Sequence, residues 1–112
     1  MYKIRAEYPA KEGYHFDKDY YVKGHLALAE RQLKGKVSIQ RLEVEWDVKT
    51  MFGDEITAPC AVCIYLESDR EVTDFLQWVE SPDAQPVIDD ADNYTNCEVV
   101  WTITEIEELP GY

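Results

Sequence analysis

One histidine stands out by its surroundings. In FDKDYYVKGHLALAERQL, residues 16–33, His25 follows Tyr21 by four positions and Asp17 by eight. An imidazole changes charge near neutral pH and is the commonest carrier of a proton in catalysis. A phenol one helical turn away is suited to hydrogen-bond a developing oxyanion. Successive residues of an α-helix advance by about 100°, which gathers Leu28, Tyr21, His25, Ala29, Val22, Leu33 and Leu26 on one arc of about 160°. Lys23, Lys34, Glu30, Asp19 and Arg31 fall on the opposite side. His25 is therefore expected to face inward. The pattern admits two readings: a packed histidine with one satisfied hydrogen bond, or an imidazole at the floor of a pocket, its proton affinity set by burial and the Tyr21 hydroxyl. Asp17 is expected to cap the helix rather than to act as an acid. His15 lies in the preceding loop.

The remaining residues with reactive side chains are weaker candidates. Cys60 and Cys63 form a CxxC, but CAVCIYL is a continuous apolar run. On a strand, residues three apart point to opposite faces. No second CxxC and no nearby histidine completes a metal site. Cys60, Cys63 and Cys97 are thus expected as buried, reduced thiols in a cytoplasmic protein without a metal. Eight Tyr and three Trp against three Phe supply aromatic rings with polar tips, suited to a flat ring or lactone and equally to an ordinary core. Tyr8 and Tyr65 are the strand candidates for contact with such a ligand. Asn93 and Tyr94 either contact it or fix the loop before the last strand. There is no P-loop, dinucleotide fingerprint or Ser/His/Asp set, and no cofactor is expected.

A formal charge of −12 over 112 residues argues against nucleic acid and anionic membranes as partners, since phosphate binding depends on clustered Lys and Arg. No apolar run approaches the roughly 20 residues that span a bilayer. The N-terminal MYKIRAEYP alternates from its first residues and lacks an apolar leader core.

The elements that must position His25 follow from periodicity. Tyr2, Ile4, Ala6 and Tyr8 alternate with Lys3, Arg5 and Glu7, a strand. The helical stretch runs from Asp17 to Leu33 and stops at Gly35. A second strand is expected over residues 37–48, with Leu42, Val44, Trp46 and Val48 on one face. Val37 and Ile39 are out of phase with these, which predicts a bulge near Gln40. KTMFGDEITAP reads as a loop, and residues 60–66 as a central strand, apolar on both faces. Ser68 and Glu71 form a capping box ahead of a helix whose stripe is Val72, Phe75, Leu76 and Val79. Ser81–Pro82 opens a short helix toward Asp90, and residues 99–106 form the last strand.

The order β-α-β-β-α-(α)-β is the split βαβ, or ferredoxin-like, α+β arrangement: one domain over residues 1–112, an antiparallel sheet with its helices on one face. Strands three and four, apolar on both sides, predict a homodimer that covers the open sheet face. Lys3, Arg5 and Glu7 at that face work partly against it.

At this point the residues carry a resemblance. FDKDYYVKGHLAL resembles the D-x-D-Y-Y-x-x-x-H-x-x-L signature of the EthD family, within the dimeric α+β barrel superfamily. The tail DDADNYTNCEVVWTITEIEE is similar to its D-x-x-N-Y-T-x-x-E-x-x-x-x-x-x-E block, and CIYLESDREVTDFL matches the strand-then-helix region more loosely. The resemblance implies a sheet-to-sheet homodimer with a pocket between sheet and helices in each subunit. It implies a cofactor-independent isomerase or lyase, performing lactone isomerisation, dehydration or decarboxylation on a small hydrophobic or aromatic carbonyl compound. The alternative is a non-catalytic binding or accessory protein; cofactor-free oxygenation of a quinol ranks lower. In the isomerase branch the histidine and tyrosine of the motif sit at the ligand, which corresponds to His25 and Tyr21. Many members carry a histidine early in the third helix; SPDAQPVID has none.

Overall fold

The computed structural model describes residues 1–112. Four antiparallel strands, β1 (Tyr2–Tyr8), β2 (Arg41–Lys49), β3 (Ile56–Leu66) and β4 (Val100–Glu105), form one sheet in the order β2-β3-β1-β4. Three helical segments cover one side: α1 (residues 18–33), α2 (Asp69–Val79) and α3 (Gln85–Asp89). This is the ferredoxin-like α+β fold. The molecule measures 41 × 38 × 20 Å. Its short axis has room for a sheet and a single layer of helices, each about 10 Å deep. No helix is long and apolar enough to cross a membrane.

Register decides which side chains meet the helices. Ile4 pairs with Ile64, Ala6 with Val62 and Tyr8 with Cys60, and all six are buried. With Leu33, Leu66, Phe75, Trp78 and Ala84, most of them build the main core. The opposite phase, Arg5 with Cys63 and Lys3 with Tyr65, faces away from the helices. The CxxC is therefore split, Cys60 inward and Cys63 outward, and all three cysteines are free and buried.

Several sequence expectations change here. Strand β2 starts at Arg41: Lys36 N and Val37 N both donate back to Leu33 O, and the chain rejoins β3 at Gln40, whose N donates to Tyr65 O at 2.9 Å. No bulge forms at Gln40. The irregularity sits at the far end, where register slips between Val48 and Lys49 and Asp47 adopts φ 51°. Aspartate tolerates this left-handed region better than most residues. Residues 56–59, expected as loop, extend β3. On α2, Leu76 is left half-exposed, and Trp78 is buried in its place, its indole Nε1 donating to Gln32 O at 3.1 Å.

The outer sheet face also departs from expectation. Over β3 it is small and roofed by charge: Arg5 bonds Glu45 at 2.8 Å and Glu7 at 3.0 Å, and Tyr65 donates to Glu43 at 2.8 Å. The larger exposed apolar side chains, Trp101 and Ile103, lie on the helix side of edge strand β4, opposite Ala6 and Ile4.

Candidate active site

Helix α1 is not uniform. Asp17 caps it, accepting from Tyr20 N at 3.0 Å. Residues Lys18–Tyr20 and Ala27–Leu33 are α-helical, but Tyr21–Leu26 form a widened π-type turn. Such turns insert one residue into a helix and recur at functional sites. Gly24 lies in this turn because nothing larger fits: a Cβ there would sit 2.8 Å from the Tyr20 ring. The Tyr20 ring lies over Gly24, and its hydroxyl reaches Asp90 Oδ1 at 2.7 Å.

Tyr21 and His25 both emerge from this turn into the sheet-facing layer, at 1% and 7% exposure. Their rings stack, with centroids 5.2 Å apart and planes 20° from parallel. His25 Nδ1 lies 3.0 Å from Asp90 Oδ2, and Nε2 lies 3.4 Å from the Tyr94 hydroxyl. The Tyr94 hydroxyl is 2.9 Å from that of Tyr8, and Tyr21 donates to Tyr8 at 3.5 Å. Phe16 closes the cluster, its ring 5.1 to 5.4 Å from those of Tyr8, Tyr21 and Tyr94. No buried side-chain nitrogen or oxygen lacks a partner.

Burial sets the charges. It lowers the proton affinity of His25 below that of an ordinary histidine, outweighing the pull of Asp90, so the ring is neutral at neutral pH. Burial works to raise Asp90, but hydrogen bonds from Asn93, Tyr20 and His25 overcome it and hold the carboxyl below its usual range. Tyr8, Tyr21 and Tyr94 are all pushed up, chiefly by burial, and stay protonated. Burial also drives the Cys60 thiol up to about 12, so it is no nucleophile at neutral pH.

The structure brings together His25, Tyr21, Tyr8 and Tyr94. Tyr94, and not Tyr21, presents its hydroxyl to Nε2. Asn93 sits at the edge, donating to Asp90 Oδ1 at 2.9 Å. Tyr65 does not belong here. It shares the register phase of Cys63, and so lies on the opposite face of the sheet, stacked under Arg41. Asp90 is the residue that sequence reasoning missed. It lies in DDADN, as the first residue of the D-x-x-N-Y-T block, and its signal was the Asp90–Asn93 spacing that lets one side chain bond the other. An open groove of about 780 Å³ between residues 10–14 and 54–57 contains none of these side chains.

Comparison with known proteins bears on the fold. The structure is similar to that of an EthD-like protein from Ralstonia eutropha, with a TM-score of 0.78 and 22% identity over 99% of this chain and 96% of that one. It is similar to an ethyl tert-butyl ether degradation (EthD) family protein from Bacillus halodurans, with a TM-score of 0.65 and 20% identity over 96% and 99% of the two chains. An antibiotic biosynthesis monooxygenase aligns with a TM-score of 0.50 and 12% identity over 96% and 100%. No family model matches the sequence, and no curated protein matches it. At these identities the likeness establishes a shared fold.

Gly24→Ala tests the local geometry. A methyl group gains helix propensity of about 1 kcal/mol, but here it must displace the Tyr20 ring from Asp90. The variant is expected to lose about 1–3 kcal/mol in urea unfolding. With Tyr20→Ala already present, the same change is expected to stabilise. Stabilisation by Gly24→Ala alone would contradict the packing described.

Proposed function

We propose that this chain is a cofactor-independent acid–base enzyme of the isomerase or lyase type. Its substrate is a small hydrophobic or aromatic carbonyl compound held between sheet and helices. The observation that carries this reading is the meeting, in one buried place, of the Nε2 of a neutral imidazole with the hydroxyls of Tyr94, Tyr8 and Tyr21. A neutral imidazole accepts a proton from carbon beside a carbonyl, and a phenol donates to the enolate oxygen that develops. The contact of Nε2 with Tyr94, at 3.4 Å, is long for a hydrogen bond. A carbonyl inserted there displaces a weak interaction and gains stronger ones. The fold shared with EthD-like proteins agrees with the fold that the sequence resemblance implies.

A second reading, a non-catalytic small-molecule-binding or accessory protein, draws on a specific observation. Both ring nitrogens of His25 already have protein partners, and His25, Tyr8, Tyr21 and Tyr94 are all less than 9% exposed. Incubation with a panel of lactones and aromatic ketones, at matched folded fraction, separates the two. The first reading expects turnover by the wild type that falls about 10²- to 10⁴-fold in His25→Ala. Equal turnover removes His25 as the proton carrier, and saturable binding with no turnover by either protein favours the second.

We also propose a homodimer joined through the outer sheet faces, because helices cover only one side of the sheet and Ala61, Cys63 and Thr102 lie on the other. Sedimentation equilibrium is expected to give twice the 13.0 kDa chain mass at micromolar concentration. A single-chain mass across the whole concentration range would refute it.

A further inference from the structure

We infer that Asp90 is a positioning residue: it fixes the tautomer of His25 and, through it, the direction of every hydroxyl proton in the chain Tyr94–Tyr8–Tyr21. The inference deepens the acid–base reading above and rests on it for its functional meaning.

An ionised carboxylate only accepts hydrogen bonds. The 3.0 Å contact between Asp90 Oδ2 and His25 Nδ1 therefore requires the proton on Nδ1. In a neutral ring the other nitrogen is then a bare acceptor, so Nε2 accepts from Tyr94. With the Tyr94 proton committed to Nε2, its oxygen accepts, and the proton shared across 2.9 Å belongs to Tyr8. The Tyr8 oxygen in turn accepts from Tyr21 at 3.5 Å. Every proton points from Tyr21 toward His25, and the lone pair needed by a general base lies on the nitrogen that faces the hydroxyls. The opposite tautomer would bury that lone pair against Asp90 and leave Nε2 unable to take a proton.

Asp90 is itself held for this role. Tyr20 and Asn93 both donate to Oδ1, at 2.7 and 2.9 Å, which leaves Oδ2 to His25 alone. Two donors on one oxygen orient the carboxylate, and they also dictate what an amide would do there. In Asp90→Asn the amide oxygen takes the Oδ1 position, because Tyr20 and Asn93 need an acceptor. The amide NH₂ is then turned on Nδ1, two donors facing each other, and the conflict is relieved when His25 moves its proton to Nε2.

Nitrogen-15 NMR of the His25 ring in the apo wild type and in Asp90→Asn reads this directly. The wild type is expected to show a protonated Nδ1 and an unprotonated Nε2, and the variant the reverse, with turnover lost in parallel. A protonated Nε2 in the wild type would overturn the inference whether or not the variant folds. An unchanged tautomer in a folded Asp90→Asn would overturn it as well. Tyr20→Phe, which leaves the ring packing intact and Asn93 in place, is expected to keep the wild-type tautomer. The spectrum needs no substrate, so its outcome is independent of whether the acid–base reading itself survives.

Discussion

A buried carboxylate has to be answered by donors, and in this protein the answer to Asp90 organises everything around it. Taking an ionised carboxylate out of water costs several kcal/mol unless its lone pairs are satisfied. Tyr20, His25 and Asn93 satisfy them at 2.7, 3.0 and 2.9 Å. Two of these donors come from α1 and the third from the segment before β4, some 70 residues away in sequence. The carboxylate thus joins the first helix to the far end of the chain. The link is seconded by the backbone: Asp17 N donates to Tyr94 O at 2.8 Å, and Phe16 bridges to Thr95. Tyr94 is placed against His25 by these contacts.

The sheet supplies the other wall. Strand β1 delivers Tyr8 and strand β3 delivers Cys60 to the inner layer in one register pair. A one-residue slip would carry both to the other face. Large hydrophobic side chains around Ile4, Leu66 and Phe75 hold that register from one end of the layer, while the tyrosine cluster occupies the other. The same alternation explains why Tyr65 stands with Arg41 and Glu43 on the outer face, far in function from the tyrosines it resembles by type.

Much of this was legible in the chain. Helical spacing placed His25 and Tyr21 inward, and period-two alternation in β1 and β2 put the correct residues against the helices. The split of Cys60 from Cys63 followed from the same rule, which, carried two residues further, would also have excluded Tyr65. What was hidden depends on the third dimension. The widened turn at Tyr21–Leu26, with the Tyr20 ring lying against Gly24 inside it, is not encoded by any periodicity. Asp90 heads the D-x-x-N-Y-T block, but nothing in that spacing showed that its carboxylate would meet His25, 65 residues earlier in the chain. The end of α1 displaced the start of β2 because carbonyl capping of Leu33 by Lys36 and Val37 took precedence over strand propensity at Val37.

The bond between Asp90 and His25 holds this site together, and a double-mutant cycle measures it without reference to any substrate. Asp90→Ala, His25→Ala and the double variant would be unfolded in urea at pH 7. A hydrogen bond to a buried charged group predicts a coupling energy of about 1.5–3 kcal/mol, with the double variant destabilised by less than the sum of the two single ones. Additivity within about 0.5 kcal/mol would contradict the account.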